Sequence, residues 1–143
     1  MEHLATKKVL KEINDAVGRA DVHIHRSDET PEVIMSTSEG MIKYSGRSMP
    51  EDAKSFYLPL KEWILKYAEN PTPGTQVIFE YEYFNTSSSK MIMEIIEATN
   101  KIGAKDKNFK VEWRYMEDDD DILEAGEEYE EITGITFEFV SYD

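Results

Sequence analysis

From Thr75 onward the chain switches back and forth between two hydrophobic periods, and this limits its possible folds more than any other feature. "TQVIFEYEYF" is dense in β-branched and aromatic residues and reads as a strand. A helical pattern follows from about Ser87 to Ile102, with Ile92, Ile95, Ile96 and Ile102 on its apolar side. "NFKVEWRYM" alternates strictly, setting Phe109, Val111, Trp113 and Tyr115 on one face. A further helix, about Asp119 to Thr133, buries Ile122, Leu123, Tyr129 and Ile132 and stops at Gly134. "ITFEFVSY" closes the chain as a strand. Strands separated by helices are joined by crossovers, and crossovers make parallel neighbours.

Upstream, "EVIMSTSEGMIKYSG" reads as a hairpin, Val33 to Met35 against Met41 to Tyr44. "SMPEDAKSFYLPLKEWILKYAEN" reads as a helix opened by a Ser48/Glu51 capping box. Its apolar stripe is Ala53, Phe56, Tyr57, Leu60, Trp63, Ile64 and Tyr67, with a kink expected at Pro59. The predicted architecture is α/β: one small domain over residues 30–143, an N-terminal hairpin followed by a βαβαβ-type sheet flanked by helices. Residues 1–29 read as an appendage. Residues 1–18 are amphipathic, with Leu4, Leu10, Ile13 and Val17 at helical spacing, and "DVHIHR" is a short strand or extended linker.

Composition narrows the function. A hydrophobic content of 40% and an aromatic content of 11% supply a core. The start "MEHLATKKVLKEINDAVG" mixes charge with apolar residues, unlike a signal peptide, and no apolar run has membrane-spanning length. A soluble cytoplasmic protein is expected. With no cysteine there is no disulfide, thiolate metal site or cysteine nucleophile. A net charge of −14 argues against nucleic acid and anionic membranes as partners. From Glu117 to Asp143 there are twelve acidic residues and no Lys or Arg, which suits a protein partner with a basic face.

The turn Asn85, Thr86, Ser87, Ser88, Ser89, Lys90 holds more hydroxyls than one helix cap needs, and its lysine opposes the helix dipole. It is readable as an over-provisioned cap, as a phosphate-binding loop without glycine, or as a site of hydroxyl phosphorylation. Ser87 and Lys90 also spell Ser-x-x-Lys, but the companion signatures of serine acyl-enzymes are missing. The run Glu117 to Asp121 is either a solvated helix start or a carboxylate source for Mg²⁺ or Ca²⁺. His23 and His25 point to one side of a strand, with His3 as a possible neighbour, and are read as incidental rather than as a zinc site. Arg47 is left between reaching a phosphate and pairing with acids. Trp63 and Trp113 belong to the core, and no spacing shows a catalytic set.

Several stretches together resemble the SiaC family of bacterial biofilm-regulating phosphoproteins. They are "TPEV", "SGRSMPEDAKSFYLPLKEWI", "EYFNTSSSKMIMEII", "VEWRYMEDDDDILEAGEEYEE" and the closing strand, spanning roughly residues 30–143. The resemblance implies a fold related to anti-sigma-factor antagonists (STAS-like) and a switch rather than an enzyme, with no cofactor. It implies that the unphosphorylated form binds and activates a diguanylate cyclase, raising cyclic di-GMP and promoting aggregation or biofilm. A SiaB-like partner-switching kinase is implied to phosphorylate the motif threonine, here Thr86, and a SiaA-like PP2C-type phosphatase to reverse it. Asn85, Ser87, Ser88 and Ser89 then shape the phosphosite loop, and Lys90 steadies the phosphate. The competing expectation is a small phosphoester-binding or metal-dependent module using the 85–90 turn and the 117–121 acidic run.

Overall fold

The computed structural model describes residues 21–143. They form β1 (Val22–Ile24), β2 (Glu32–Ser36), β3 (Met41–Ser48), α1 (Ala53–Tyr67) and β4 (Gln76–Phe84). Then follow α2 (Thr86–Gly103), β5 (Lys110–Met116), α3 (Asp120–Thr133) and β6 (Phe137–Tyr142). The strands make one six-stranded sheet in chain order, β1 to β6. β1–β2 and β2–β3 are antiparallel; β3–β4, β4–β5 and β5–β6 are parallel. The expected hairpin followed by β–α–β–α–β is present.

In this order every crossover steps the same way across the sheet. Right-handed crossovers then place the helices on one face. Tyr57 of α1 stacks 6.2 Å from Tyr44, and Tyr129 of α3 meets Trp113 edge-on at 5.6 Å. Ile92, Ile95 and Ile96 of α2 are fully buried between them. The core is thus the alternate-residue face of the sheet, including Val33, Ile42, Tyr44, Val77, Phe79, Val111, Trp113 and Phe137, under the helices. Both tryptophans are fully buried in it, as expected.

All seven stripe residues of α1 are buried, and the helix is continuous across Pro59. Its start differs from expectation. Asp52 is the N-cap, accepting the Ser55 N–H at 3.2 Å, while Ser48 belongs to β3 and is buried. The capping-box spacing competed with a strand that runs to residue 48, and the strand pairing won. In α3 the buried positions are 122, 126 and 129, so Ile132 falls off the stripe and is 61% exposed. Gly126 is required there. A Cβ would stand 2.5 Å from the Trp113 ring, whose Nε1 donates to the Ile122 carbonyl at 2.9 Å.

β1 corrects the expected limit of the appendage. Val22 pairs with Met35 and Ile24 with Val33, and Ile24 joins the core, so residues 22–24 are the edge of this sheet. The expected helix over 1–18 lies outside the described residues. Among the described residues, no helix is long and apolar enough to cross a membrane.

Candidate functional site

β4 and β5 are parallel neighbours, so the segments that follow them emerge at the same end of the sheet. Residues 85–90 follow β4 and residues 117–121 follow β5. The hydroxyl turn and the acidic run therefore share the carboxyl end of the sheet, where open α/β folds tend to place their function.

Asn85 organises the turn. Its backbone is extended (φ −85°, ψ 177°), and its Oδ1 accepts the Ser88 N–H at 2.9 Å, capping α2. The Ser87 hydroxyl also donates to this oxygen, at 3.2 Å. The Asn85 N–H donates to the Ser48 carbonyl at 3.1 Å, and its own carbonyl accepts the Ser89 N–H at 2.9 Å. One residue thus joins β3, β4 and α2.

Beneath it runs a buried chain of hydroxyls. Ser48 Oγ donates to Ser88 Oγ at 2.9 Å; Tyr57 lies 2.5 Å from Ser48 Oγ and 2.9 Å from Tyr81. Ser48 has a single proton, given to Ser88. Tyr57 must then donate to Ser48, and Tyr81 to Tyr57. Burial raises both phenols well above the ordinary tyrosine range, so they remain neutral donors. Ser89 is held differently. Tyr129 donates to the Ser89 carbonyl at 2.8 Å and lies 2.9 Å from its hydroxyl, with burial pushing Tyr129 up to about 12.

The polar row therefore divides by what each side chain touches. Asn85, Ser88 and Ser89 are built into the fold, while Thr86, Ser87 and Lys90 are exposed. The Thr86 hydroxyl has no partner among the described residues and stands on the first residue of an eighteen-residue helix. Lys90, four residues on, is on the same helix face.

Arg47 sits beside this turn. A register shift after Gly46, whose φ of +111° suits glycine, turns Arg47 outward opposite Tyr83, with its guanidinium 5.5 Å from the Tyr83 ring centre. In the acidic run Asp119 caps α3 by accepting the Ile122 N–H at 3.0 Å, and Asp120 and Asp121 lie in the first turn, where they favour the dipole. Among the described residues the one metal-type cluster with ligand atoms within 4.8 Å of each other is His23, His25 and Glu32, not residues 117–121.

Ser48, Tyr57, Tyr81 and Tyr129, which support the turn, carry no sequence signal as site residues. Their partners lie 9 to 40 residues away. The available hint is tyrosine at core positions of both a strand and a helix, where each buried hydroxyl needs a partner.

The fold and this site define an α/β domain with a capped hydroxyl row at the carboxyl end of its sheet and one threonine facing outward. The profile of the SiaC family regulatory phosphoproteins matches residues 24–142, and the chain belongs to that family. It is 22% identical over 124 residues to an uncharacterized protein of Pseudomonas aeruginosa strain UCBPP-PA14, covering 87% of this chain and 98% of that one. Among solved structures, SiaC of Pseudomonas aeruginosa superposes with a TM-score of 0.73 at 22% identity, covering 86% of this chain and 99% of that one. SiaC from the same organism, in complex with the diguanylate cyclase SiaD that it activates, gives a TM-score of 0.76 at 22% identity. That match covers 85% of this chain and 100% of the other. The likeness to these structures is one of fold.

Proposed function

We propose that this chain is a non-enzymatic signalling switch of the cytoplasm. Its unphosphorylated form binds and activates a diguanylate cyclase, and phosphorylation of Thr86 ends that contact. A partner-switching kinase adds the phosphate and a PP2C-type phosphatase removes it. The reading is supported by the family, a group of regulatory phosphoproteins, and by the relative whose structure is known in complex with a cyclase. The observation that carries it is the exposure of Thr86 beside neighbours that the fold has already engaged.

A phosphate there adds about −1.5 to −2 charge. The helix start tolerates that charge, and Lys90 at the i+4 position adds to the tolerance. The cost falls on a docked partner. Like-charge contact and dianion desolvation at an interface amount to several kcal/mol. By affinity arithmetic this is at least about a hundredfold.

Incubation with the cognate kinase and ATP, followed by peptide mapping, tests the acceptor. One phosphate on Thr86 is expected, absent from Thr86→Ala and retained in Ser87→Ala. Full stoichiometric phosphorylation of Thr86→Ala would overturn the assignment.

A further inference from the structure

We propose that His23, His25 and Glu32 form a binding site for a divalent transition ion of the zinc type, on the sheet face opposite the helices. The strand register brings the three residues together. His23 pairs with Ile34 and Ile24 with Val33, so one further step sets His25 across from Glu32. Side chains alternate along a strand. Ile24 and Val33 point into the core, which puts His23, His25 and Glu32 together on the other face.

Their geometry is already close to a coordination sphere. His23 Nε2 is 3.0 Å from Glu32 Oε2, the two imidazole ring centres are 4.4 Å apart, and one ligand atom from each residue lies within 4.8 Å of the others. Bonds of about 2.0–2.2 Å in a tetrahedral sphere need donors roughly 3.3–3.6 Å apart. Rotation about side-chain bonds covers that difference with no backbone movement. Lys43 on β3 contributes a nearby positive charge that tempers affinity without supplying a ligand.

Two imidazoles and one carboxylate select the ion class. Mg²⁺ and Ca²⁺ prefer oxygen donors alone, whereas zinc accepts this mixed set readily. With three protein ligands, a fourth position remains for water or for a donor from a partner. The side chains of His23 and Glu32 are 48% and 31% exposed, so an ion can enter. A bound ion would also link β1, an edge strand of only three residues, to β2.

Calorimetric titration of Zn²⁺ into the chelator-treated full chain tests this, with Mg²⁺ as the comparison. One zinc per chain is expected, with much weaker Mg²⁺ binding. His25→Ala and Glu32→Gln should each weaken zinc by at least about tenfold, since even outer-shell changes cost that much. His3→Ala should bind as wild type does. Zinc should raise the melting temperature of wild type but not of His25→Ala, and the metal-free melting temperatures should agree, which separates lost ligation from lost folding. Absence of saturable zinc binding, equal affinity in His25→Ala, or loss caused by His3→Ala would each overturn the proposal.

Discussion

A buried hydroxyl and an exposed one have opposite consequences when removed, and the row from Thr86 to Ser89 contains both. Ser88 is fully buried and accepts the Ser48 proton, so Ser88→Ala strands a buried donor at a cost of about 1–3 kcal/mol. Thr86→Ala removes an exposed group and should stay within about 0.5 kcal/mol of wild type. Urea unfolding of the two variants checks the contrast, and equal losses would contradict it. At this scale the sequence was half legible. That the polar row caps a helix follows from its place before a helical run, whereas the choice of Asn85 does not, because the helical pattern reads from about Ser87 and the helix begins at Thr86. Nor does the burial of Ser88 follow, because its partner Ser48 is 40 residues away on a strand that local spacing suggests is a helix start.

Among elements, the loops before β4 and β5 are tied by one carboxylate. Asp106 accepts N–H groups from Gly74 at 3.2 Å, Thr75 at 2.8 Å and Asn108 at 3.1 Å. Burial alone would raise its pKa, but these three donors outweigh burial and lower it. A folded value below the unfolded value of about 3.9 means that the stabilisation is complete above that pH and is lost as pH falls through the folded value. Asp106→Asn should therefore cost about 1–3 kcal/mol near neutrality by leaving a buried N–H unpaired. The deficit should narrow below about pH 4. Denaturant unfolding at pH 7 and pH 3 measures it, and a gap that widened in acid would contradict the account. Helices and strands were legible here because their periods are clear. The errors sit at ends: Ser48 taken by a strand, Ile132 one residue short of the next buried turn, and β1 too brief to show that it pairs.

For the whole molecule, alternating periods forecast a largely parallel sheet but not the strand order. Handedness fixes the side on which each crossover helix lies, while sequential order depends on which edge each new strand joins. In this order the hydroxyl turn and the acidic run end up at one end of adjacent strands, although about thirty residues separate them in the chain. The net charge of −14 completes the setting, because added phosphate deepens a field that already repels anions. The central claim is that one phosphate on Thr86 decides whether the partner stays bound. The most direct test is the affinity of the cognate diguanylate cyclase for the unmodified chain and for the chain stoichiometrically phosphorylated at Thr86. The account predicts binding weakened by at least about a hundredfold on phosphorylation; equal affinity of the two forms would contradict it.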